Sequence, residues 1–528
     1  MDILGDVLQV RAKPYKRRER LAMPSLGVAV ATVLAALIFL FGFDVYWGSL
    51  GIIHAHFETI QNGAKKIIKV PPGGNLQAAI DQASSGDIVE LQAGAVYSGQ
   101  INLSNKPITD YVTIRSSTAD QLPPDKRVDP KQRGLMATIQ SGILGRAAIV
   151  AAAGAHHYRF VGIEFTPSSS SYNYGIVQFG KGESKENVPH DLEIDRSYIH
   201  PFKSGVTRRG IALNSSNTSI KNSYIEGIAF PGEETQGICG WTGSRNVKII
   251  NNYIEAGAEN IMFGGADPDS ADLIPQDIEI RGNELNKPAV WKGKVTTKTL
   301  FELKNAKRVI FAQNFLTNNW EGSAMRLTVR NQDNGAPFST IEDVTIRDNL
   351  IKGAGEGINI LGKDDTYPSQ TMQGVNIVNN LFLNIGGREF EGMGYFIQVA
   401  DGRDITIAHN TVINTGNIAT FYGELPANFV FRDNILSHGS YGIHGLDDVH
   451  TGLARSMFRG NVFMNLAGVG DGDTSFPHGN DFVKGLREVG FVDPISSDFR
   501  LTADSRYKRN ATDGGDRGAD PSTIPFPK

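Results

Sequence analysis

The chain has 528 residues, a formal net charge of −4 at pH 7 and a single cysteine, Cys239. A slightly negative net charge does not favour binding to the negatively charged backbone of nucleic acids, so no nucleic-acid partner is predicted. One cysteine also excludes a disulfide framework and a CxxC metal site.

The N-terminus predicts a membrane anchor. Residues 1–20 carry six basic and three acidic side chains, a local charge of +3 (6 − 3), and residues 21–43 carry no charge. An uncharged run of this length can cross a bilayer core of about 30 Å. The positive-inside rule makes residues 1–20 a cytoplasmic basic tail and exports the rest. We therefore expect a transmembrane anchor at 21–43 and a stalk at 44–68. The remaining chain would lie on the periplasmic or extracellular side (type II topology), and a cleaved signal peptide is the alternative.

An amphipathic helix is predicted just after the stalk, in the phrase NLQAAIDQASSGDIVEL that begins at Asn75. Asn75 is a suitable N-cap. The apolar residues that follow recur at helical spacing and form one face. We expect this helix to cap the open end of the following domain; the face consists of Leu76, Ala79, Ile80 and Ala83.

One phrase then recurs ten times: an apolar residue, two variable residues, a small polar residue and another apolar pair. The copies are 24 to 35 residues apart, by subtraction of their positions. Short β-rich repeats with this period are typical of a solenoid, whose units bury their apolar faces by stacking. We predict ten to twelve rungs over residues 69–469 and a C-terminal cap and tail at 470–528. The asparagines of the phrase, from Asn252 to Asn461, should stack in one file at one corner. The small polar residues of the ten copies are Ser197, Ser223, Asn252, Asn283, Asn314, Asn349, Asn380, Asn410, Asn434 and Asn461.

The helical phrase and the stacked asparagine phrases resemble the right-handed parallel β-helix proteins of the pectin-lyase-like superfamily, over about residues 68–465. The resemblance implies an all-β fold, a right-handed parallel β-helix. It leaves the function open, because that superfamily includes lyases, hydrolases, epimerases and non-catalytic adhesins.

Strands that precede the asparagine phrase carry an unusual set of charges. In LFELKN, AMRLTVRN and GINILG, apolar and polar residues alternate, which places the polar set on the outer face. We aligned Leu303 with Val329, which sets Lys304 beside Arg330 on the next rung. The predicted exposed cluster contains Glu302, Lys304, Arg326, Arg330, Asn359 and Lys363, is extended by Gln398 and is flanked by Asn260 and Asp267.

Like charges on neighbouring strands repel unless an anion lies between them, and an anionic polysaccharide would supply that anion. β-Elimination from a uronate polymer needs a base for the proton alpha to the carboxylate and a cation that neutralises the carboxylate. We predict Lys304, Arg326 and Arg330 as catalytic residues. The predicted substrate-binding residues are Glu302, Asn359, Lys363, Gln398 and Asn260. A structural alternative pairs Glu302 with Lys304 and Arg330.

Lys304 followed one rung later by Arg326 or Arg330 resembles the Lys–Arg pair of the alginate lyase and chondroitinase B family. That resemblance implies lyase activity and a Ca²⁺ ion held by an asparagine and two glutamates just upstream of the lysine. Here residues 295–299 contain no acidic pair, and only Glu302 and the more distant Asp267 and Asp269 are available. The metal ligands are therefore left unassigned.

Two further readings remain open. Asp364, Asp365 and His444 occur in the order used by polygalacturonase-like hydrolases. A non-catalytic β-helix would instead bind glycan or serve as a structural subunit beside an envelope protein partner. Some aromatic residues near the groove could stack on sugar rings, and the pair His156–His157 is expected to be structural. The aromatic residues are Trp241, Trp291 and Trp320.

Overall fold

The computed structural model describes residues 65–203, 205–464 and 476–526. They form a parallel β-helix whose coils contribute strands to three faces, here called faces 1, 2 and 3. Face 1 is a 14-stranded sheet. Faces 2 and 3 belong to one 24-stranded sheet, because the strands Phe315–Thr328 and Leu350–Leu361 run from one face into the other. The predicted all-β parallel β-helix is confirmed.

The strands of face 1 are Ile67–Val70, Ile88–Leu91, Val112–Ser116, His156–Val161, His190–Asp195, Ser216–Lys221, Arg245–Ile250, Gln276–Arg281, Ala306–Ala312, Ile341–Arg347, Gln373–Val378, Arg403–Ala408, Val430–Arg432 and Met457–Arg459. Face 2 contains the first part of the two long strands and Val96–Ser98, Ala137–Gln140, Ile163–Thr166, Tyr198–Ile199, Tyr224–Ile228, Tyr253–Ala256, Glu284–Asn286, Leu381–Ile385, Thr411–Asn414, Ile435–Ser437, Val462–Met464 and Asp481–Val483. Face 3 contains the second part of the long strands and Ile101–Leu103, Ile149–Ala151, Val177–Phe179, Arg209–Leu213, Gln236–Gly240, Glu259–Phe263, Thr299–Leu303, Ile397–Ala400, Ala419–Phe421 and Ile443–His444.

Short helices and one antiparallel pair complete the described elements. The pair is Phe491–Asp493 with Asp498–Leu501. The α-helices are Leu76–Gln82, Val449–Gly452 and Leu486–Val489. The 3₁₀ turns are Ala119–Gln121, Pro130–Leu135, Lys185–Asn187, Ala271–Leu273, Ala289–Trp291 and Pro521–Thr523.

The number of rungs is larger than predicted. Face 1 has 14 strands, whereas the phrase count gave ten to twelve. The difference lies at the N-terminal end, where four face 1 strands precede the first copy of the phrase. These strands carry no copy of the asparagine phrase, so a count of that phrase does not include them.

The predicted file of asparagines is confirmed. Each asparagine Oδ1 accepts a hydrogen bond from the backbone N–H of the preceding member of the file, as in Asn283 N to Asn314 Oδ1 at 2.9 Å. Its Nδ2 donates to a backbone carbonyl and to the next asparagine. The file continues beyond the prediction to Asn480, which accepts from Asn461. Buried backbone groups at this corner are thereby paired, which the parallel stacking requires.

Both ends of the described coil carry the segments that the sequence singled out. Helix Leu76–Gln82 forms, and the Asn75 side chain accepts from Ala78 N at its N-cap. Its capping role stays a prediction. The C-terminal segment returns along the side of the coil, where Gly518 N donates to Asp433 O and Asp520 N donates to the Asn379 side chain. Apolar residues of this segment pack against face 2, among them Leu501, Tyr507 and Ile524.

The predicted tail, anchor and stalk up to residue 64 lie outside the described residues. Within the described ranges, no helix is both long and apolar enough to span a membrane.

Candidate functional site

The register of face 3 brings Glu302 and Arg326 together. Phe301 pairs with Met325 and Leu303 with Leu327, which places Arg326 directly opposite Glu302. The predicted pairing of Leu303 with Val329 is wrong by two residues. A shift of two residues keeps every apolar side chain inside, so hydrophobic alternation alone cannot distinguish the two registers.

Glu302 lies at the centre of this face and is almost completely buried, with 2% of its surface exposed. Its Oε1 is 3.9 Å from the Lys304 ammonium, and its Oε2 has no hydrogen-bond partner among the described residues. Burial, followed by the nearby Glu259 carboxylate, raises the pKa of Glu302, against the effect of Lys304, Lys298 and Arg326. A buried carboxyl with one unsatisfied oxygen destabilises the fold, and such groups concentrate at functional sites.

A second carboxyl lies on the preceding strand of face 3. Glu259 is fully buried, and its Oε1 is 2.9 Å from the Lys298 ammonium. Its Oε2 accepts from the Gln236 amide. Burial alone would lower the pKa of Lys298, but Glu259 and Glu302 outweigh burial and raise it. We call Glu259, Lys298, Glu302, Lys304 and Arg326 the Glu302 cluster. It contains three cations and two carboxyl groups.

Arg330 is not part of this cluster. Its backbone N–H donates to the Lys304 carbonyl at 2.9 Å, so the backbones of the two residues are neighbours on consecutive coils. The Arg330 guanidinium, however, contacts Asp364 and Asp365, and its hydrogen bond lowers the pKa of Asp365. The predicted side-chain pair of Lys304 with Arg330 is therefore replaced by Lys304 and Arg326 around Glu302.

The predicted binding residues Asn359 and Gln398 extend the cluster along the face. Asn359 lies opposite Arg326 and Gln398 opposite Asn359, and the Asn359 amide donates to Gln398 Oε1 at 2.5 Å. The Tyr422 hydroxyl donates to the Ile360 carbonyl and lies 3.5 Å from Asn359 Oδ1. Burial raises the pKa of Tyr422 to about 12. A polar track thus continues from Arg326 across two further strands.

Two other predicted binding residues lie elsewhere. Asn260 is fully buried, and its Oδ1 accepts from the ammonium of the buried Lys287, so it cannot bind substrate on the outer face. The Asn260 amide nitrogen donates to the carbonyls of Ile254 and Asn286 inside the coil. Lys363 lies past the end of its strand and lines a surface pocket of about 420 Å³ with Glu342, Asp401 and Arg403.

The residues predicted for a polygalacturonase-like hydrolase, Asp364, Asp365 and His444, do not come together in one site. Asp364 accepts from the backbone N–H groups of Asn331 and Thr366 and so orders its own loop. His444 lies three ladder steps beyond Asn359, through Gln398 and Thr420. At about 4.8 Å for each step this separation is about 14 Å. This arrangement disfavours a joint action of the aspartates with His444.

The residues of the Glu302 cluster do not fit a calcium ion. Ca²⁺ needs six to eight oxygen ligands, whereas the Glu259 carboxylate already has the Lys298 ammonium as its partner. Asp267 accepts hydrogen bonds from the backbone N–H groups of Gln332, Asp333 and Gly335. It thereby connects the loop after strand Glu259–Phe263 to the loop after strand Phe315–Thr328. No step is derived through calcium.

Two of the three predicted tryptophans, Trp320 and Trp241, do not offer a free ring on this face. Trp320 is buried, and Arg209 stacks on Trp241 with its guanidinium carbon 4.8 Å from the ring centroid. Sequence reasoning missed Glu259, Lys298 and Tyr422, because strand register and loop packing bring them to the site. Glu259 begins the strand that pairs with Thr299–Leu303. Knowledge of that pairing would have placed Glu259 near Glu302, but the sequence alone does not give the pairing.

No family model matches the chain, and no curated protein matches it. The chain is similar to the solved structure of an alginate lyase from Paenibacillus sp. str. FPU-7, at 13% identity and a TM-score of 0.35, over 72% of this chain and 99% of that chain. It is also similar to PfbA, a surface adhesin of Streptococcus pneumoniae, at 14% identity and a TM-score of 0.34, over 57% of this chain and 80% of that chain. A third similar structure is the A-module of the Azotobacter vinelandii mannuronan C-5 epimerase AlgE6, at 12% identity and a TM-score of 0.42, over 78% of this chain and 93% of that chain. These likenesses assign no activity to this chain.

Proposed function

We propose that the chain cleaves a uronate-containing anionic polysaccharide by β-elimination at the Glu302 cluster. The observation that carries the proposal is the buried Glu302 carboxyl, which has one unpaired oxygen and lies among Lys298, Lys304 and Arg326. The three cations of the Glu302 cluster outnumber its two carboxyl groups, Glu302 and Glu259, which leaves an excess of positive charge on this face. A sugar carboxylate would balance that charge.

The elimination assigns a separate task to each group. The positive charges of Arg326 and Lys298 neutralise the sugar carboxylate. They also stabilise the negative charge that develops when the adjacent carbon loses its proton. Lys304 takes that proton as the general base. The electron pair forms the C=C bond as the C–O bond to the leaving sugar breaks. The leaving oxygen then takes a proton, for which the Tyr422 hydroxyl beside Asn359 is our candidate donor.

The direct test is an assay of uronate polymers with the full chain, monitored in the ultraviolet for the unsaturated product and in parallel for new reducing ends. Unsaturated product from one polymer class would support the proposal. New reducing ends without ultraviolet absorbance would indicate hydrolysis. Saturable binding without either product would indicate a glycan-binding protein, and both of these results would overturn the lyase.

Arg326 and Arg330 offer a matched pair of variants. We expect Arg326→Ala to lower kcat/KM on the confirmed polymer by 10²-fold or more, because it removes charge stabilisation in the transition state. Arg330→Ala should lower kcat/KM by less than tenfold, since its guanidinium pairs with Asp364 and Asp365. Equal losses in steady-state kinetics of the two variants would contradict the assigned roles.

The proposal includes a membrane anchor at residues 21–43, supported by the uncharged run behind six basic residues. The site would then face the periplasm or the exterior, where polysaccharides occur. We expect the full-length chain to stay in the pellet after carbonate extraction of membranes. Release of full-length protein into the supernatant would count against the anchor.

A further inference from the structure

Three histidines and an aspartate meet on face 1, away from the Glu302 cluster on face 3. His156 and His190 begin two neighbouring strands and are ladder partners. His157 and Asp191 follow them directly in the chain. We call His156, His157, His190 and Asp191 the histidine cluster. The sequence alone predicted only a structural role for His156 and His157.

The side chains of this cluster converge. One ligand atom each from His157, His190 and Asp191 lie within 4.8 Å of one another. His190 Nδ1 is 2.6 Å from Asp191 Oδ2, and His156 Nδ1 is 2.8 Å from His157 Nδ1. The His156 and His190 rings stack with centroids 4.8 Å apart. All four side chains are half-buried and therefore accessible from solvent.

The backbone at this corner does not require histidine. His157 and Asp191 adopt left-handed conformations, with φ of 58° and 52°. The same position on the next two strands carries Asn217 and Asn246, with φ of 48° and 51°. Asparagine is well suited to this conformation, so the corner can form without an imidazole. His190 pairs with Ser216 on the following strand, which shows that its position is equally tolerant.

We infer that the histidine cluster binds a divalent transition metal ion, of which Zn²⁺ is the best match, through His157, His190 and Asp191. Imidazole and carboxylate ligands suit zinc, whereas calcium requires an oxygen shell. Ligand atoms of a tetrahedral zinc site are roughly 3.3 Å apart, and the present separations are at most 4.8 Å, so binding requires side-chain adjustments of about 1.5 Å or less. His156 orients His157 through their Nδ1 contact, as partners of metal-bound histidines do.

The other group of three potential ligands, His409, Asp433 and Asp513, has the Arg432 guanidinium as a common neighbour. That group is already neutralised by a cation of the chain itself.

The test uses the full chain in detergent after removal of metals with a chelator. We expect calorimetry with Zn²⁺ to show one saturable site, and Co²⁺ to give the visible absorption bands of a tetrahedral site. His157→Asn and His190→Ser should each weaken binding at least tenfold. Both replacements reproduce residues that the chain itself places on the following strands, so the metal-free variants should keep the melting temperature of the wild type.

His444→Ala, which removes an exposed histidine on face 3, is the matched control and should bind Zn²⁺ like the wild type. Absence of saturable Zn²⁺ and Co²⁺ binding would overturn the inference. Unchanged binding in His157→Asn and His190→Ser would do the same, because the metal would then lie elsewhere. The readout is metal binding, so the result is independent of the polysaccharide activity.

Discussion

Replacing Lys304 with alanine should lower turnover of the confirmed uronate polymer by about 10²–10⁴-fold, the usual cost of losing a general base. Lys304 lies next to Glu302 and one strand away from Arg326, and 17% of its side chain is exposed. Lys298, the other amine of the Glu302 cluster, is held 2.9 Å from the Glu259 carboxylate, so Lys304 is our candidate base. Initial rates of ultraviolet product formation measure the effect.

Two further variants separate the base from a mere positive charge. Lys304→Arg keeps the charge but cannot give up a proton at neutral pH, so it should retain polymer binding and lose turnover like Lys304→Ala. Lys363→Ala removes a lysine that lines a different pocket, and it should keep the wild-type rate. Wild-type activity in Lys304→Arg would show that Lys304 supplies charge only, and another base would then have to be sought.

The fold could be predicted because the asparagine phrase places one residue type at one corner of every regular coil. Each copy of the phrase occupies the same structural position, and each asparagine Oδ1 accepts a hydrogen bond from the backbone N–H of the asparagine on the preceding coil. The first four strands of face 1 lack this signal, because their coils stack through apolar residues that any buried strand could carry.

The position of the candidate site on the strands could be predicted, but not its pairing or its burial. Alternation placed Glu302, Lys304 and Arg326 on the outer side of neighbouring strands, whereas Glu302 is almost completely buried there and not exposed as predicted. It could not distinguish Arg326 from Arg330 as the neighbour of Glu302, since both lie at the same parity. The partner of Arg330 comes from the loop that carries Asp364 and Asp365, which no periodic pattern places.

The burial of Lys287 also could not be predicted from the sequence. This residue is fully buried, and its ammonium lies within 3.1 Å of four oxygen atoms. Three are the carbonyls of Ala256, Gly257 and Ala258, and the fourth is Asn260 Oδ1. Between faces 2 and 3 of later coils, Asn319 and Asn414 donate mainly to backbone carbonyls of their own coil, whereas Lys287 donates to carbonyls of the preceding coil.

Lys287→Ala should lower the free energy of unfolding by several kcal/mol, because each buried acceptor left without a donor costs about 1–3 kcal/mol. Lys287→Asn should cost less, since asparagine already serves this corner in later coils. Lys248→Asn changes an exposed lysine and should stay within about 0.5 kcal/mol of the wild type. Denaturant unfolding followed by circular dichroism measures all three. Equal stability of Lys287→Ala and Lys248→Asn would contradict a structural role for Lys287.

The same lysine should make stability depend on pH in a predictable direction. Burial lowers the pKa of Lys287 from 10.5 to about 7, and only the Glu259 carboxylate opposes this shift. Between pH 7 and 10.5 the unfolded chain therefore holds this proton while the folded chain releases it. Because the unfolded state binds more protons in this window, the free energy of unfolding rises with pH. The slope is at most about 1.4 kcal/mol per pH unit.

The difference in stability between the wild type and Lys287→Asn isolates this contribution, since both proteins share every other titrating group. We expect the difference to grow in favour of the wild type from pH 7 to pH 10 and to be constant between pH 5 and pH 6.5, where both states hold the proton. A difference that stays flat up to pH 10 would mean that the four oxygens keep the ammonium charged inside the folded protein. Lys287 would then be a permanent buried cation, and the corner would owe its stability to charge-assisted hydrogen bonds throughout.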